Sequence, residues 1–210
     1  MLVWRLTLYQ KRGGNALFAA TSRRIKVFEQ KTGGVFDTTL IIWKEKCMKI
    51  LIMSDSHGND LYVAKALDRE WPVDAMIHLG DTQEEEDEFA EILAGEEVPL
   101  YLVKGNCDWY VDLPLDRIVE LAGHRILITH GHTHAVSYGT EEVAHLAQEN
   151  DCSIALYGHT HRPEIDDSHP GLLILNPGSI SLPRQTGRKK SYMVLELESG
   201  KAPEVWLRYL

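Results

Sequence analysis

The chain has 210 residues, 44% of them hydrophobic and 25% charged, with a formal net charge of −9. That is the composition of a folded globular domain, and it excludes disordered, collagen-like and coiled-coil chains. The charge is unevenly placed: residues 1–47 carry nine Lys or Arg against three Asp or Glu (+6), whereas residues 48–210 carry 13 against 28 (−15), so most of the surface repels a long polyanion and no groove-wide grip on nucleic acid is expected.

The first 47 residues hold two Gly-Gly pairs, Gly13-Gly14 and Gly33-Gly34, among scattered apolar residues with no sustained period of 2 or 3.6. They are expected to be a basic N-terminal extension, dispensable or an artefact of start-site choice. Met48 itself reads as a start, because Lys49-Ile50-Leu51-Ile52-Met53 opens a buried strand at once. A strand lent to the main domain is the alternative. The apolar run Leu2 to Leu8 is too short to span a membrane and is interrupted by Arg5, and no signal peptide is legible.

From Met48 onward short apolar runs alternate with amphipathic stretches, the pattern of an α/β domain. Strands are expected at 49–53, 75–79, 99–103, 117–121, 124–129, 153–157, 172–175, 191–197 and 204–208, and helices at 59–70, 84–94 and 139–150. Ala122-Gly123 between two apolar strands signals a hairpin, and the late strands lie too close together for helical crossovers. Residues 48–210 are therefore expected to form one domain with mixed rather than all-parallel sheets. Three cysteines, Cys47, Cys107 and Cys152, form no C-x-x-C pair. Neither a disulfide framework nor a thiolate zinc site is suggested, and a reducing cytoplasm, with no membrane association, is the expected setting.

Polar residues fall where these strands end. The first strand runs into Ser54-Asp55-Ser56-His57, the second into Gly80-Asp81 and the third into Lys104-Gly105-Asn106-Cys107-Asp108. Two later strands end in Thr129-His130-Gly131-His132 and Gly158-His159-Thr160-His161. The carboxyl ends of strands form the ligand crevice of open α/β folds. The converging types are two carboxylates, one amide and four imidazoles: Asp55, Asp81, Asn106, His57, His130, His159 and His161. Such oxygen and nitrogen donors suit divalent transition metals better than calcium or a structural zinc. Seven donors are too many for one ion; with a bridging carboxylate they divide into two sets of four, leaving positions for water and substrate. Two ions roughly 3.5–4 Å apart polarise a phosphoryl group and lower the pKa of a bound water. An Asp-x-His pair alone means little, with about 0.6 expected by chance, but Gly-His-x-His is expected only about 0.04 times. A structural role for a strand-end histidine would have to be invoked four times over.

The run Asp55-x-His57, Gly80-Asp81, Gly105-Asn106, His130 and Gly158-His159-Thr160-His161 resembles the calcineurin-like metallophosphoesterases, over essentially all of residues 48–210. The likeness is nearest to their small single-domain prokaryotic branch, which shares Thr129-His130-Gly131-His132 and Asn176-Pro177-Gly178-Ser179. It implies a sandwich of two mixed β-sheets flanked by helices. It also implies that Asp55, His57 and His161 hold one ion, that Asn106, His130 and His159 hold a second, and that Asp81 bridges them. Manganese is the expected metal, and nickel, iron, cobalt or zinc fit the same donors. One departure is Cys107, which stands where the commoner family motif has a histidine that contacts substrate. The identity of the proton donor is thereby left open, between Cys107 as participant and Cys107 as packing residue, and easily departing leaving groups are favoured. Asp108 is expected to orient a neighbouring histidine and His132 to touch the substrate phosphate.

Other conspicuous residues carry simpler readings. His134 is either a site residue or a solvent-facing loop residue; His78 reads as structural, and His124, His145 and His169 have no evident partners. Glu84-Glu85-Glu86-Asp87-Glu88 reads as a solvated first helical turn. Arg184, Arg188, Lys189 and Lys190 form a basic loop, read as surface or as a guide for an anionic substrate. Met76, Trp71, Trp109 and Trp206 read as core or loop packing rather than a stacking platform. Neither Ser54 nor Thr160 has the basic partner a covalent mechanism needs. The expected activity is hydrolysis of small phosphodiesters by a metal-bound hydroxide. A phosphomonoesterase or protein phosphatase, or a non-catalytic scaffold of the same fold, is the alternative, and a homo-oligomer is left open.

Overall fold

Residues 24–32, 35–43, 47–83, 93 and 98–210 are described by the computed structural model, and the chain divides into two units, residues 1–46 and 47–210. In the first unit β1 (Arg24–Thr32) pairs antiparallel with β2 (Val35–Trp43), Thr32 opposite Val35 and Arg24 opposite Trp43. The residues between the strands are Gly33-Gly34, a pair that is itself a two-residue hairpin signal. The adjacent apolar residues Val27-Phe28 and Leu40-Ile41-Ile42 break the alternation that would have marked the strands.

The second unit runs β3 (Met48–Met53), α1 (Asp60–Glu70), β4 (Ala75–His78), β5 (Leu100–Leu102), β6 (Asp116–Leu121), β7 (His124–Thr129), α2 (Glu141–Glu149), β8 (Ile154–Leu156), β9 (Pro163–Asp166), β10 (Leu173–Pro177), β11 (Ser191–Leu197) and β12 (Glu204–Tyr209). Two five-stranded sheets result, ordered β12-β11-β3-β4-β5 and β6-β7-β8-β10-β9. In the first, β3, β4 and β5 are parallel and β11 runs against both β3 and β12. In the second, β7, β8 and β10 are parallel, with β6 and β9 antiparallel at the edges. Both sheets are mixed, as the sequence indicates.

Period 2 explains the layering. In β3, Ile50 and Ile52 join a core with Ile126 and Ile128 of β7 and Ile154 and Leu156 of β8, which is the space between the sheets. The alternate residues Leu51 and Met53 face Val63, Ala66 and Leu67 of α1. On the outer side of the second sheet Leu127, Ala155 and Ile174 meet Val143, Ala144 and Ala147 of α2. Strands buried on both faces read as unbroken apolar runs, and each fully buried aliphatic side chain contributes about 1.5–3 kcal/mol. The order is helix, sheet, sheet, helix.

β9 was not expected, because Pro163-Glu164-Ile165-Asp166 starts with proline and carries one aliphatic residue; such a segment is a strand only as an edge, and β9 is one. The helix expected at 84–94, with its acidic run, lies outside the described residues apart from Leu93. Among the described residues no helix is long and apolar enough to cross a membrane.

Candidate metal centre

The carboxyl ends of β3, β4, β5, β7 and β8 meet, and the turns that follow them interlock before any side chain is considered. The Asp55 amide donates to the Gly80 carbonyl (3.1 Å) and the His57 amide to the Asp81 carbonyl (2.9 Å). A Cβ on Gly105 would lie 2.2 Å from both the amide nitrogen and Oδ1 of Asp81. Only glycine permits that approach. Asp55, His57, Asp81, His159 and His161 all have left-handed backbone, with φ of 56°, 49°, 55°, 65° and 57°, and they make up half of the ten non-glycine residues so placed among those described. Each such residue costs about 1–3 kcal/mol and persists only where its surroundings over-determine it.

Those surroundings are identifiable. The hydroxyls of Ser179 and Ser181 both donate to the Asp55 carbonyl (2.8 and 2.9 Å), and the Asn176 amide holds the Gly158 carbonyl (2.9 Å). Asp108, 2% exposed, accepts from the amides of Asp81 (2.8 Å), Gly105 (2.7 Å) and Gln83 (2.8 Å) and from the Thr82 hydroxyl (3.3 Å). It staples the β4 and β5 turns together. Its carboxylate is thus spent on the amides of Asp81, Gln83 and Gly105 and on one hydroxyl rather than on the histidine ring that the sequence suggests.

The donors form a continuous chain. One oxygen or ring nitrogen from each of Asp55, His57, Asp81 and His161 fits within 4.8 Å of the others. His161 Nε2 is 3.0 Å from Asp55 Oδ1 and 3.5 Å from His57 Nε2. Asp81 Oδ1 accepts the Cys107 amide (2.7 Å), which turns Oδ2 to stand 3.8 Å from His57 Nε2 and 3.6 Å from His130 Nε2. Asn106 Oδ1 lies 3.2 Å from His130 Nε2 and 2.9 Å from His159 Nδ1. All seven residues are thus brought together, with Asp81 in the middle.

Ring orientation reveals what is missing from this chain. His130 Nδ1 lies 2.6 Å from the Leu79 carbonyl and His161 Nδ1 2.6 Å from that of Leu182. A carbonyl only accepts, so both Nδ1 atoms donate and a neutral ring turns its Nε2 lone pair inward. Those nitrogens face carboxylate or amide oxygens, and the wholly buried Asp55 carboxylate, 3.0 Å from His161 Nε2, receives no well-aligned hydrogen bond. At the buried Asp55–His161 end, opposed lone pairs require a positive charge between them, a proton or a metal ion. Burial pushes the Asp55 carboxyl up, but His161 and His130 outweigh it and hold it below its ordinary value. Burial lowers His161, and Asp55 reverses this and raises it. Burial lowers His57, His159 and His132, the last two aided by His130, which keeps these rings available as neutral donors. Two carboxylates, one amide and four imidazoles fit divalent transition ions.

Around this chain, His132 packs its ring 5.3 Å from that of His130 and 6.3 Å from that of His159. The Cys107 thiol takes a hydrogen bond from the Asn106 amide (3.2 Å) and is raised to about 11 by burial and Asp81. His134 pairs with Asp116 (2.8 Å), His78 is wholly buried, and His124, His145 and His169 meet Glu198, Glu149 and Asp166 away from the site. The Arg184 amide donates to the His161 carbonyl, while Lys189 and Lys190 lie over the rings of Tyr209 and Tyr62. Met76 is buried and Trp206 packs against the core. Trp109 does not pack: it is 79% exposed, and it lines a cleft next to His132 and Asn106. The backbone acceptors Leu79 and Leu182 carry no sequence signal at all.

A family model for the calcineurin-like phosphoesterase superfamily domain matches residues 48–200. YsnB of Bacillus subtilis, a probable metallophosphoesterase, is 36% identical over 156 residues, or 74% of this chain and 88% of that one. The crystal structure of a conserved Streptococcus pneumoniae protein, a predicted phosphoesterase, matches at 32% identity with a TM-score of 0.64, over 79% of this chain and 100% of that one. An archaeal phosphodiesterase shares the fold with a TM-score of 0.61 at 21% identity, over 78% of this chain and 100% of that one.

Proposed function

The chain belongs to the calcineurin-like phosphoesterase superfamily, and from that premise we propose that it hydrolyses phosphodiesters with two divalent ions, manganese first among them. The observation that carries this reading is the seven-donor chain, with Asp81 between its two halves and the buried Asp55 carboxylate 3.0 Å from His161. Asp55, His57 and His161 would hold one ion and Asn106, His130 and His159 the other, with Asp81 shared between them. Bound there, such a pair lowers the pKa of a water and withdraws charge from the phosphoryl oxygens. The Leu79 and Leu182 carbonyls keep the His130 and His161 rings from rotating, so the site is set before substrate arrives. His132, beside His130 and His159, is the side chain we assign to a non-bridging phosphoryl oxygen, where a hydrogen bond strengthens as charge develops.

Three features favour a diester over a monoester. Position 107 offers no imidazole to protonate a strongly basic leaving group. The longer Asp-Arg-Gly signature of protein phosphatases is absent. Residues 48–210 carry a net −15, which disfavours a dianion more than a monoanion. A scaffold would have no use for a complete donor set, and every donor is present. The test compares bis-p-nitrophenyl phosphate with p-nitrophenyl phosphate on chelated protein re-supplied with Mn²⁺. The diester is expected to be cleaved faster, and His159→Ala is expected to lose at least a hundredfold. A faster monoester reverses the specificity, and unchanged activity in the variant removes the site.

A further inference from the structure

We infer that the cleft beside the His130–Asn106–His159 half of the centre is a subsite for a flat aromatic substituent of the phosphoester, with Trp109 as its stacking face. This rests on the phosphoesterase reading and adds the substrate class to it. The cleft has a volume of ≈ 320 Å³, and its walls include Lys104, Asn106, Trp109, Leu115 and His132. Of these, Asn106 belongs to the donor chain and His132 packs against it, so a phosphate held by the donors would direct its substituent into this space. The volume is at the low end of ligand pockets, about 300–1,000 Å³, which is enough for one ring system and too little for an oligonucleotide.

The character of the walls selects the ligand. Trp109 is 79% and Leu115 44% exposed, an apolar face left in water directly beside Asn106 and His132. An indole with an open face attracts a planar π-system. Asp108 also lines the cleft, but both its oxygens are committed to backbone amides and the Thr82 hydroxyl, so it presents no free acceptor to repel an anion. Lys104 is the cation of the wall, and its ammonium donates to the Val111 carbonyl (3.0 Å), which ties down the loop that carries Trp109. The Lys104 amide donates to the Pro114 carbonyl (2.8 Å) at the far end of the same loop. Trp109 therefore follows the fixed Asp108 and precedes a braced segment, which holds its backbone beside the cleft.

AMP and ribose 5-phosphate share a sugar and a phosphate and differ by one ring system, so their dissociation constants on the Mn²⁺-loaded full chain isolate the subsite. Titration calorimetry is expected to give AMP an advantage of about tenfold, the size of one base–aromatic stack. Trp109→Ala should erase that advantage and leave ribose 5-phosphate binding unchanged, while Trp109→Phe should keep most of it. Trp109 is too exposed for either variant to endanger the fold. Equal affinities in the unaltered protein, or a Trp109→Ala loss shared by both ligands, would overturn the subsite. Bis-p-nitrophenyl phosphate hydrolysis is read on the same samples: if it is absent while the AMP preference persists, the phosphodiesterase reading fails and the ring subsite stands.

Discussion

Asp108 shows how a carboxylate close to a metal centre can serve it without touching it. Its four hydrogen bonds go to the backbone of Asp81, Gln83 and Gly105 and to the Thr82 hydroxyl, and they hold together two turns whose backbones approach too closely for any residue but glycine at 105. Removing the acceptor leaves three buried or half-buried amides without a partner, at about 1–3 kcal/mol each. Asp108→Ala is therefore expected to lower unfolding free energy in the presence of chelator by about 3 kcal/mol, measured by denaturant titration. A purely chemical role for Asp108 would leave the metal-free stability where it was. The sequence shows the seven donors because each follows an apolar run that ends at a strand terminus. It does not show Asp108's role, since a side chain bonded to amides leaves the same letter as one bonded to a ring. Trp109 was misread for a related reason: the hydrophobicity of an indole tells nothing about whether the surrounding loop buries it.

At the scale of elements, α1 is held to its sheet by polar as well as apolar contacts. Glu70 at its end meets Lys49 Nζ of β3 (2.9 Å) and the Tyr192 hydroxyl of β11 (3.0 Å), with Arg208 of β12 at 3.8 Å. Burial pushes the Glu70 carboxyl up, but Lys49, Tyr192 and Arg208 outweigh it and hold it below the ordinary glutamate value. A carboxyl lowered on folding adds stability that is fully present above the unfolded value, near 4.3, and is lost as pH falls through the lower folded one. Glu70→Gln is thus expected to cost about 1 kcal/mol at pH 7 and nearly nothing at pH 3, with thermal unfolding across that range as the measurement. An equal loss at both values would mean that the contact acts by shape and not by charge. The α1 and α2 helices were legible because their apolar spacing matches 3.6 and their ends are polar. The β1–β2 pair and β9 were not, because Val27-Phe28 and Leu40-Ile41-Ile42 break the alternation that marks a strand, and β9, an edge strand, starts with proline.

At the scale of the whole 47–210 unit, the donors come from two sheets. Asp55, His57, Asp81 and Asn106 follow β3, β4 and β5 of one sheet, and His130, His159 and His161 follow β7 and β8 of the other. A bound ion is therefore a cross-link between layers that otherwise meet through the apolar core of Ile50, Ile77, Ile126 and Ile154. Ligand binding confined to the folded state contributes about 2.7 kcal/mol at a hundredfold excess over Kd, and 1 kcal/mol moves the midpoint of a domain of this size by about 2–4 °C. Mn²⁺ added to chelated protein should thus raise Tm by about 5–10 °C. Single substitutions then divide the effect by position. His159→Ala, which leaves the Asp55–His57–Asp81–His161 cluster whole, should keep roughly half the shift and one ion per chain by elemental analysis. Asp81→Ala, which removes the central carboxylate common to both halves, should abolish the shift and both ions together. If Asp81→Ala and His159→Ala behaved alike, the two halves would not share a bridge, and the donor chain would have to be read as separate structural histidines on either side of the sandwich.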